Sequence, residues 1–453
     1  MPLRELLLAA AARAADHRER DGRVFPETGP EAVRAALGSL PDGPSPAEEV
    51  VDELVRVVEP ALVATTGPRY FGFVIGGALD AATAADVLAT GWDQNATNAT
   101  SSPAAAAVEE VAGTWLKDLL GLPADASAGF TTGGQGANTV CLAAARHHVL
   151  AQAGWDVERD GLGGAPRVRV LASADRHVTI DRALRLLGFG TAAIVPVPTD
   201  DQGRTDVRAL AAELSAVDGP AIVCLQAGDV NTGAFDRFPE AIDAAHAHGA
   251  WVHVDGAVGL WAAGSPRTRH LTAGMARADS WSTDGHKWLN VPYDAGYAFC
   301  AHPAAHAAAM AYTAAYLTGQ DEFRAPSAYT LESSRRARGF ATWAALRELG
   351  RSGVAELVDR CCALARRFAG RLAAEGVEIG NDVVLNQVLA SFGDDERTRR
   401  VLAAVQRSGE CWMGGTTWHG RQYARISVSN WRTTEADVDR SVAAVLAALR
   451  QAR

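Results

Sequence analysis

Ala250-Trp-Val-His-Val-Asp-Gly-Ala257 is a short run of branched and aromatic residues that ends in a carboxylate and a glycine. A run of this length and composition reads as a buried strand. Upstream, Pro239 to His248 has a helical pattern, and Ala221 to Leu225 is another branched run. Arg167 to Leu171, Ala193 to Val197 and Gly296 to Cys300 repeat the strand pattern, while Asn138 to Gln152, Ile180 to Leu187 and Val207 to Val217 repeat the helical one. Strands separated by helices predict an α/β fold with a mostly parallel central sheet, covered on both faces. Ligands of such sheets bind beyond the carboxyl ends of the strands. Polar residues gather there: Ser173 to His177, Asp229 to Thr232, Asp255, and the turn that holds Lys287.

Outside this region the pattern changes. After about residue 335 come one long helix through Ser352, another through Ala374, an antiparallel-looking segment around Tyr423 to Ser429, and a last helix. The first sixty or so residues read as helices broken at Leu40-Pro-Asp-Gly-Pro-Ser-Pro46, whose last proline opens the helix Ala47 to Val58. The expected organisation is an N-terminal helical arm (1–67), a large domain (68–334) and a smaller C-terminal α+β domain (335–453).

A net charge of -10 disfavours nucleic-acid and anionic-membrane partners and points to a small-molecule site. The six cysteines are scattered, mostly within apolar runs, as expected for reduced thiols in the cytoplasm and not for a disulfide framework or a metal site. Leu6 to Ala12 is a short apolar run, but Arg13 ends it and the pattern continues as an amphipathic helix, so no export signal is expected. No run reaches the length needed to cross a bilayer.

Only Lys117 and Lys287 are lysines in a chain that otherwise writes arginine. An amine can lose its proton and attack a carbonyl, which a guanidinium cannot do. Lys287 lies between the apolar run Ala278 to Trp281 and Trp288-Leu289, in what reads as a partly buried turn; Lys117 reads as an ordinary exposed charge on a helix. Phe130-Thr-Thr-Gly-Gly-Gln-Gly-Ala-Asn138 puts glycines and small hydroxyls before a helix, which suits a phosphate or a plain glycine-rich turn equally. A buried Asp255 needs a partner, and a protonated ring nitrogen supplies one. His253, alternating with Val252 and Val254, reads as a structural histidine. At a strand end, His177 can stack on a planar ligand or handle protons. Arg425 can hold a substrate carboxylate or make a surface ion pair. Gly67 to Gly77, rich in glycine and aromatic residues, is either a core turn or a pocket wall.

A Schiff-base lysine, an acid for a pyridine nitrogen and an anion cradle are what pyridoxal phosphate requires. The chain also resembles the group II pyridoxal-phosphate decarboxylases, which include aromatic amino acid and glutamate decarboxylases. His177-Val-Thr-Ile180, His253-Val-Asp-Gly-Ala257, Asp284-Gly-His-Lys-Trp288, Ser334-Arg-Arg-Ala-Arg338 and Arg425-Ile-Ser-Val-Ser-Asn430 carry the likeness in the family's order, within about Pro68 to Asp439.

The resemblance implies the type I (aspartate-aminotransferase-like) fold, pyridoxal 5'-phosphate as cofactor, and decarboxylation of an L-amino acid to the amine and carbon dioxide. It implies that Lys287 forms the internal aldimine, Asp255 pairs the pyridine nitrogen, His177 stacks over the ring and Ala257 packs its other face. Gly134 and Gln135 fall at the phosphate, with Gln135 where the family has Ser or Thr. His286 and Thr232 fall at further cofactor neighbours. It also implies a homodimer, with Asn95 to Ser102 reaching into the partner's site. Phe73, Val74 and Gly76, with Asn95 and Thr97, would line the side-chain pocket and favour an aromatic substrate with a polar ring group. A tyrosine on the loop before Ser334 would return a proton to Cα; Tyr329 is the choice, with Tyr316 a further candidate. Phe323 in that role would instead favour an oxidative, aldehyde-forming reaction. The competing readings are an aminotransferase or carbon-carbon lyase on the same scaffold, and a pyridoxal-binding regulator without turnover.

Overall fold

The computed structural model describes residues 1–312 and 324–452. Seven strands form the main sheet: β1 (Ser127–Thr131), β2 (Arg169–Ser173), β3 (Ile194–Val197), β4 (Ala221–Gln226), β5 (Trp251–Asp255), β6 (Ser280–Asp284) and β7 (Gly296–Cys300). They lie in the order β1-β7-β6-β5-β4-β2-β3. From β3 to β6 all neighbours are parallel, and β7 runs antiparallel to both β6 and β1. Every residue of β4 and β5 is buried, which is why β4 reads as an apolar run and β5 as branched and aromatic residues interrupted only by His253 before Asp255.

Two strands depart from the sequence expectation. β6, Ser-Trp-Ser-Thr-Asp, carries too many polar residues to read as buried, yet all five residues are. Its hydroxyls have partners: Ser280 Oγ accepts from Trp251 Nε1, and Ser282 Oγ donates to Asn138. The strand runs to Asp284, three residues past the end of the apolar run at Trp281, and Lys287 follows in the turn expected for it. β1 is made largely of small residues and carries little strand signal.

A second, antiparallel sheet has the order β10-β11-β9-β8, with β8 Glu378–Ile379, β9 Gln387–Ser391, β10 Gly414–Trp418 and β11 Arg421–Ser427. The helical span Gly339–Ala374 breaks at Gly350, whose φ of 60° is left-handed, close to the expected division at Ser352. One apolar core runs from Leu225, Trp261 and Phe299 to Phe368, Val388 and Val442, so the two sheets share it. Near the N-terminus, the helix Ala47–Val58 has the expected bounds. No helix among the described residues is long and apolar enough to cross a membrane.

The strand registers put Gln226, Asp255, Asp284 and Thr131 along one edge of the main sheet. Ser127, Cys300 and Ser280 mark the opposite edge.

Candidate active site

At the end of β5, Asp255 is buried and its Oδ2 accepts from Asn138 Nδ2 at 2.9 Å, while Oδ1 accepts from the amide of Ala257 at 3.2 Å. Asn138 stands in the first turns of the helix Gly134–Gln152, where the resemblance gives it no role. Its amide is fully engaged. Nδ2 also donates to Thr179 Oγ1 at 3.1 Å, and Oδ1 accepts from Ser282 Oγ at 2.6 Å and from His253 Nε2 at 2.9 Å. His253 Nδ1 in turn accepts from Ser280 Oγ at 3.0 Å. Burial pushes His253 down to about 4, against the pull of Asp255, so the ring is neutral and structural as expected.

Thr179 connects this network to His177. The His177 ring caps its own helix: Nδ1 accepts from Thr179 Oγ1 at 2.9 Å and from the Thr179 amide at 3.4 Å. In the neutral ring the proton is then on Nε2. Burial holds His177 below its ordinary value, opposed by the Asp255 carboxylate and aided by Lys287 and Arg425, so these groups share one electrostatic neighbourhood.

Lys287 Nζ lies 2.9 Å from Asp284 Oδ2. Asp284 Oδ1 also accepts from the Gly134 amide and lies 3.4 Å from His286 Nε2. Burial pulls this carboxyl upward, but Lys287, His286 and the Gly134 amide outweigh it and hold it below the usual carboxylate range. His286 Nδ1 accepts from the Ala295 amide at 3.2 Å, and its ring stacks on Tyr293 at 4.2 Å between centroids. The turn is clamped by Asn290, a buried residue with φ of 56°. Its side chain accepts from the amides of Gly77 and Trp431 and donates to the carbonyls of Trp288 and Ser429.

The glycine-rich loop approaches this turn too closely for side chains. A Cβ on Gly133 would stand 2.9 Å from the His286 ring, and one on Gly134 2.8 Å from Asp284. The amides of Gln135 and Gly136 have no acceptor among the described residues, as the first turn of a helix leaves them. Free amides at a helix N-terminus, a lysine beside them and a carboxylate at Asp255 fit a phosphorylated pyridine aldehyde such as pyridoxal 5'-phosphate. The Gln135 side chain is engaged with Thr139 and the Thr179 carbonyl, so only its backbone is available.

Other expected residues fall as follows. Ala257, half-buried, follows Asp255 directly. Arg425 is half-buried, donates to the Val230 carbonyl at 3.2 Å and has no ion-pair partner among the described residues, which removes the surface-pair reading. Thr232 does not offer its hydroxyl to the site: it is buried and donates to the Gln202 carbonyl at 2.6 Å. Gly76 packs on the Lys287 carbonyl, and Phe73 is exposed and stands 5.2 Å from Trp412. Val74 points the other way, into the main core. Phe73 and Val74 both have left-handed φ, 53° and 57°, and this kink sends their side chains to opposite sides.

Asn95 and Thr97 are tied to their own chain. Asn95 Oδ1 accepts from Thr97 Oγ1 and from the Arg335 amide, and Thr97 Oγ1 also lies 2.8 Å from the Ser333 carbonyl. Asn95 Nδ2 has no partner among the described residues. The arginines of Ser334 to Arg338 serve as anchors: Arg335 pairs with Glu109, Arg336 with Asp86 and Arg338 with Asp294.

Within its own chain Tyr329 is not brought to the Lys287 turn. Its ring meets His306 edge-on at 5.0 Å and lies beneath the Arg324 guanidinium at 4.2 Å. His306 bonds Ser127 Oγ at 2.8 Å, at the start of β1, about 13 Å of strand rise from the Thr131 end that borders the site. Tyr316 and Phe323 lie outside the described residues. Lys117 is not an idle charge: its ammonium donates to the carbonyls of Ala124 and Ala126.

Sequence and structure comparisons agree with this geometry. The Pyridoxal-dependent decarboxylase conserved domain matches residues 30–390. The L-2,4-diaminobutyrate decarboxylase of Rhizobium meliloti (strain 1021) is 28% identical, covering 98% of this chain and 90% of its own. The aromatic-L-amino-acid decarboxylase of Bacillus atrophaeus is 29% identical, covering 88% and 85%. In the solved structure of Oryza sativa TDC with PLP and tryptamine the fold is shared at a TM-score of 0.92, with 24% identity over 100% of this chain and 99% of that one. With Lys287, Asp255 and the glycine-rich cradle at one sheet edge and the domain spanning most of the sequence, the chain belongs to the pyridoxal-dependent decarboxylase family, whose members remove the carboxyl group of an amino acid with pyridoxal phosphate as cofactor.

Proposed function

We propose that this chain decarboxylates an aromatic L-amino acid bearing a polar ring group, and releases the amine. The bound cofactor supplies an electron sink for the bond that breaks at Cα. Lys287 would carry it covalently, the amides of Gly134 and Gln135 would hold its phosphate, and Asp255 would keep a proton on its ring nitrogen. His177 would cover one ring face and Ala257 the other. The Arg425 guanidinium would take the substrate carboxylate, since it has no ion-pair partner among the described residues and burial strengthens such a bond. The observation that carries the assignment is the Asn138 amide, which ties Asp255 and, through Thr179, His177 into one frame beside Lys287.

The aromatic wall favours the substrate class. Trp412 stacks on Tyr70 at 5.0 Å and meets Phe73 at 5.2 Å, and Tyr293 stacks on His286 at 4.2 Å. Planar apolar faces with phenol edges suit a ring that carries a hydroxyl or N-H.

The working unit is a homodimer in this reading. Leu88, Trp92, Trp115 and Trp343 are each between 38 and 54% exposed, on helices that bracket Asn95 to Ser102 or pack beside them. Apolar exposure on this scale suits burial against a second copy. The six unpaired, buried cysteines suit a reducing, cytoplasmic setting. Carbon dioxide release from a panel of amino acids tests the proposal. Tyrosine, tryptophan or dihydroxyphenylalanine should be preferred, and a strong preference for glutamate, aspartate or 2,4-diaminobutyrate would overturn it.

A further inference from the structure

Asp284 is an unexpected group to find in a phosphate cradle. Its carboxylate is 2% exposed and ionised, and it already holds the Gly134 amide, the Lys287 ammonium and the His286 edge. Those are the groups that the cofactor reading assigns to an incoming phosphate and aldehyde. A phosphate dianion and a fixed carboxylate on shared donors repel each other, and burial weakens the screening between them.

We propose that Asp284 is a resident anion: in the cofactor-free chain it fills part of the place that the cofactor's phosphate takes, so that loading exchanges one anion for another. This rests on the cofactor reading of the site. Three features of the geometry support it. The Gly134 amide can donate one hydrogen only, so Asp284 must release it to a phosphate that claims it. Gly134 has no Cβ to hold the carboxylate off; one would stand 2.8 Å from Oδ2. Asp284 keeps the His286 edge after release, because His286 approaches from its own turn and not from the glycine-rich loop. The acid therefore gives up the Gly134 amide to the phosphate and the free Lys287 ammonium to the aldehyde without being left unpaired. In the empty site the same acid keeps the loop and the Lys287 turn together, so the cradle stays preformed at the cost of weaker phosphate binding.

The test uses cofactor-free full-length protein and inorganic phosphate as the probe, followed by calorimetry. Asp284→Asn has nearly the same shape without the charge and should bind phosphate about tenfold more tightly than the wild type, the size expected from removing one like-charge contact. Asp284→Glu keeps the charge and should gain nothing. Asp284→Ser is a second neutral variant and should also tighten binding if the Asn variant fails to fold. Equal or weaker phosphate binding in the folded neutral variants would overturn the proposal. A parallel titration with pyridoxal 5'-phosphate separates the two levels of the argument. If the wild type acquires no visible absorbance, the cofactor reading fails and this proposal with it. If it does, and the neutral variants gain nothing for phosphate, the Asp284 role alone fails.

Discussion

Asn138 Nδ2 donates to Asp255 Oδ2 at 2.9 Å, and the same nitrogen donates to Thr179, which holds the His177 ring. One amide thus fixes both the acid proposed to pair the cofactor's ring nitrogen and the imidazole proposed to cover its ring. All four of its hydrogen-bonding positions are filled inside the protein, so the orientation of the amide leaves no freedom.

Asn138→Ala should therefore reduce turnover well beyond what its distance from the substrate suggests. Asp255, His253 and Ser282 would each lose a partner, at about 1–3 kcal/mol for a buried polar group left unpaired. The expected result is a lower melting temperature with kcat reduced tenfold or more and a smaller change in KM. Steady-state kinetics at matched cofactor occupancy checks it, and a kcat within twofold of the wild type would contradict the linkage.

Asp229 predicts a pH-dependent gain. Burial raises its carboxyl to about 6, and its Oδ2 is buried without a hydrogen-bond partner. The folded state holds this proton more tightly than the unfolded chain, whose carboxyl titrates near 4, so stability falls as pH rises from about 4 to about 6 and is level above. Asp229→Asn should melt a few degrees above the wild type at pH 8, with the advantage shrinking as pH falls through 6. Thermal scans at pH 5 and 8 decide it; an equal or lower melting point at pH 8 would count against the buried charge.

Glu109 and Arg335 form a two-bonded ion pair at 2.6 and 2.7 Å, with side chains 2% and 1% exposed. This pair anchors the segment from Ser333 to Arg336 on which Asn95 and Thr97 rest. Glu109→Gln leaves the Arg335 charge buried and should cost about 3–5 kcal/mol, whereas Glu109→Met with Arg335→Leu should recover most of it. Chemical denaturation of the single and double variants checks the ordering.

The product distinguishes decarboxylation from its oxidative variant. Amine should form in equal amount to carbon dioxide, with no peroxide, and Tyr329→Phe should leave turnover within about threefold of the wild type because its ring packs against His306. Loss of activity in that variant would restore Tyr329 to the chemistry.

Much of this was legible in the sequence where one property dominates. The apolar runs of β4 and β5 announce buried parallel strands, Asp255 is marked by ending one of them, and Lys287 by its rarity. β6 was hidden because its polar residues are satisfied across the sheet, by Trp251 and by Asn138, and such partners are long-range. Asn138 and Asn290 were overlooked for the same reason, since each looks like an ordinary helix or turn residue until its four bonds are seen. The resemblance puts Phe73 and Val74 together in one pocket, but nothing in the sequence announces the two left-handed residues that send Val74 into the core instead. Tyr329 is close to Ser334 along the chain, but that closeness does not report which end of β1 its ring packs against.

The central claim is that Lys287, held by Asp284 and clamped by Asn290, is the residue that carries the cofactor. Borohydride reduction of the loaded protein followed by peptide mapping tests it most directly. The account predicts a pyridoxyl group on Lys287 alone, with the visible absorbance and the label both absent in Lys287→Ala; a label on Lys117, or a reducible adduct that survives in Lys287→Ala, would contradict it.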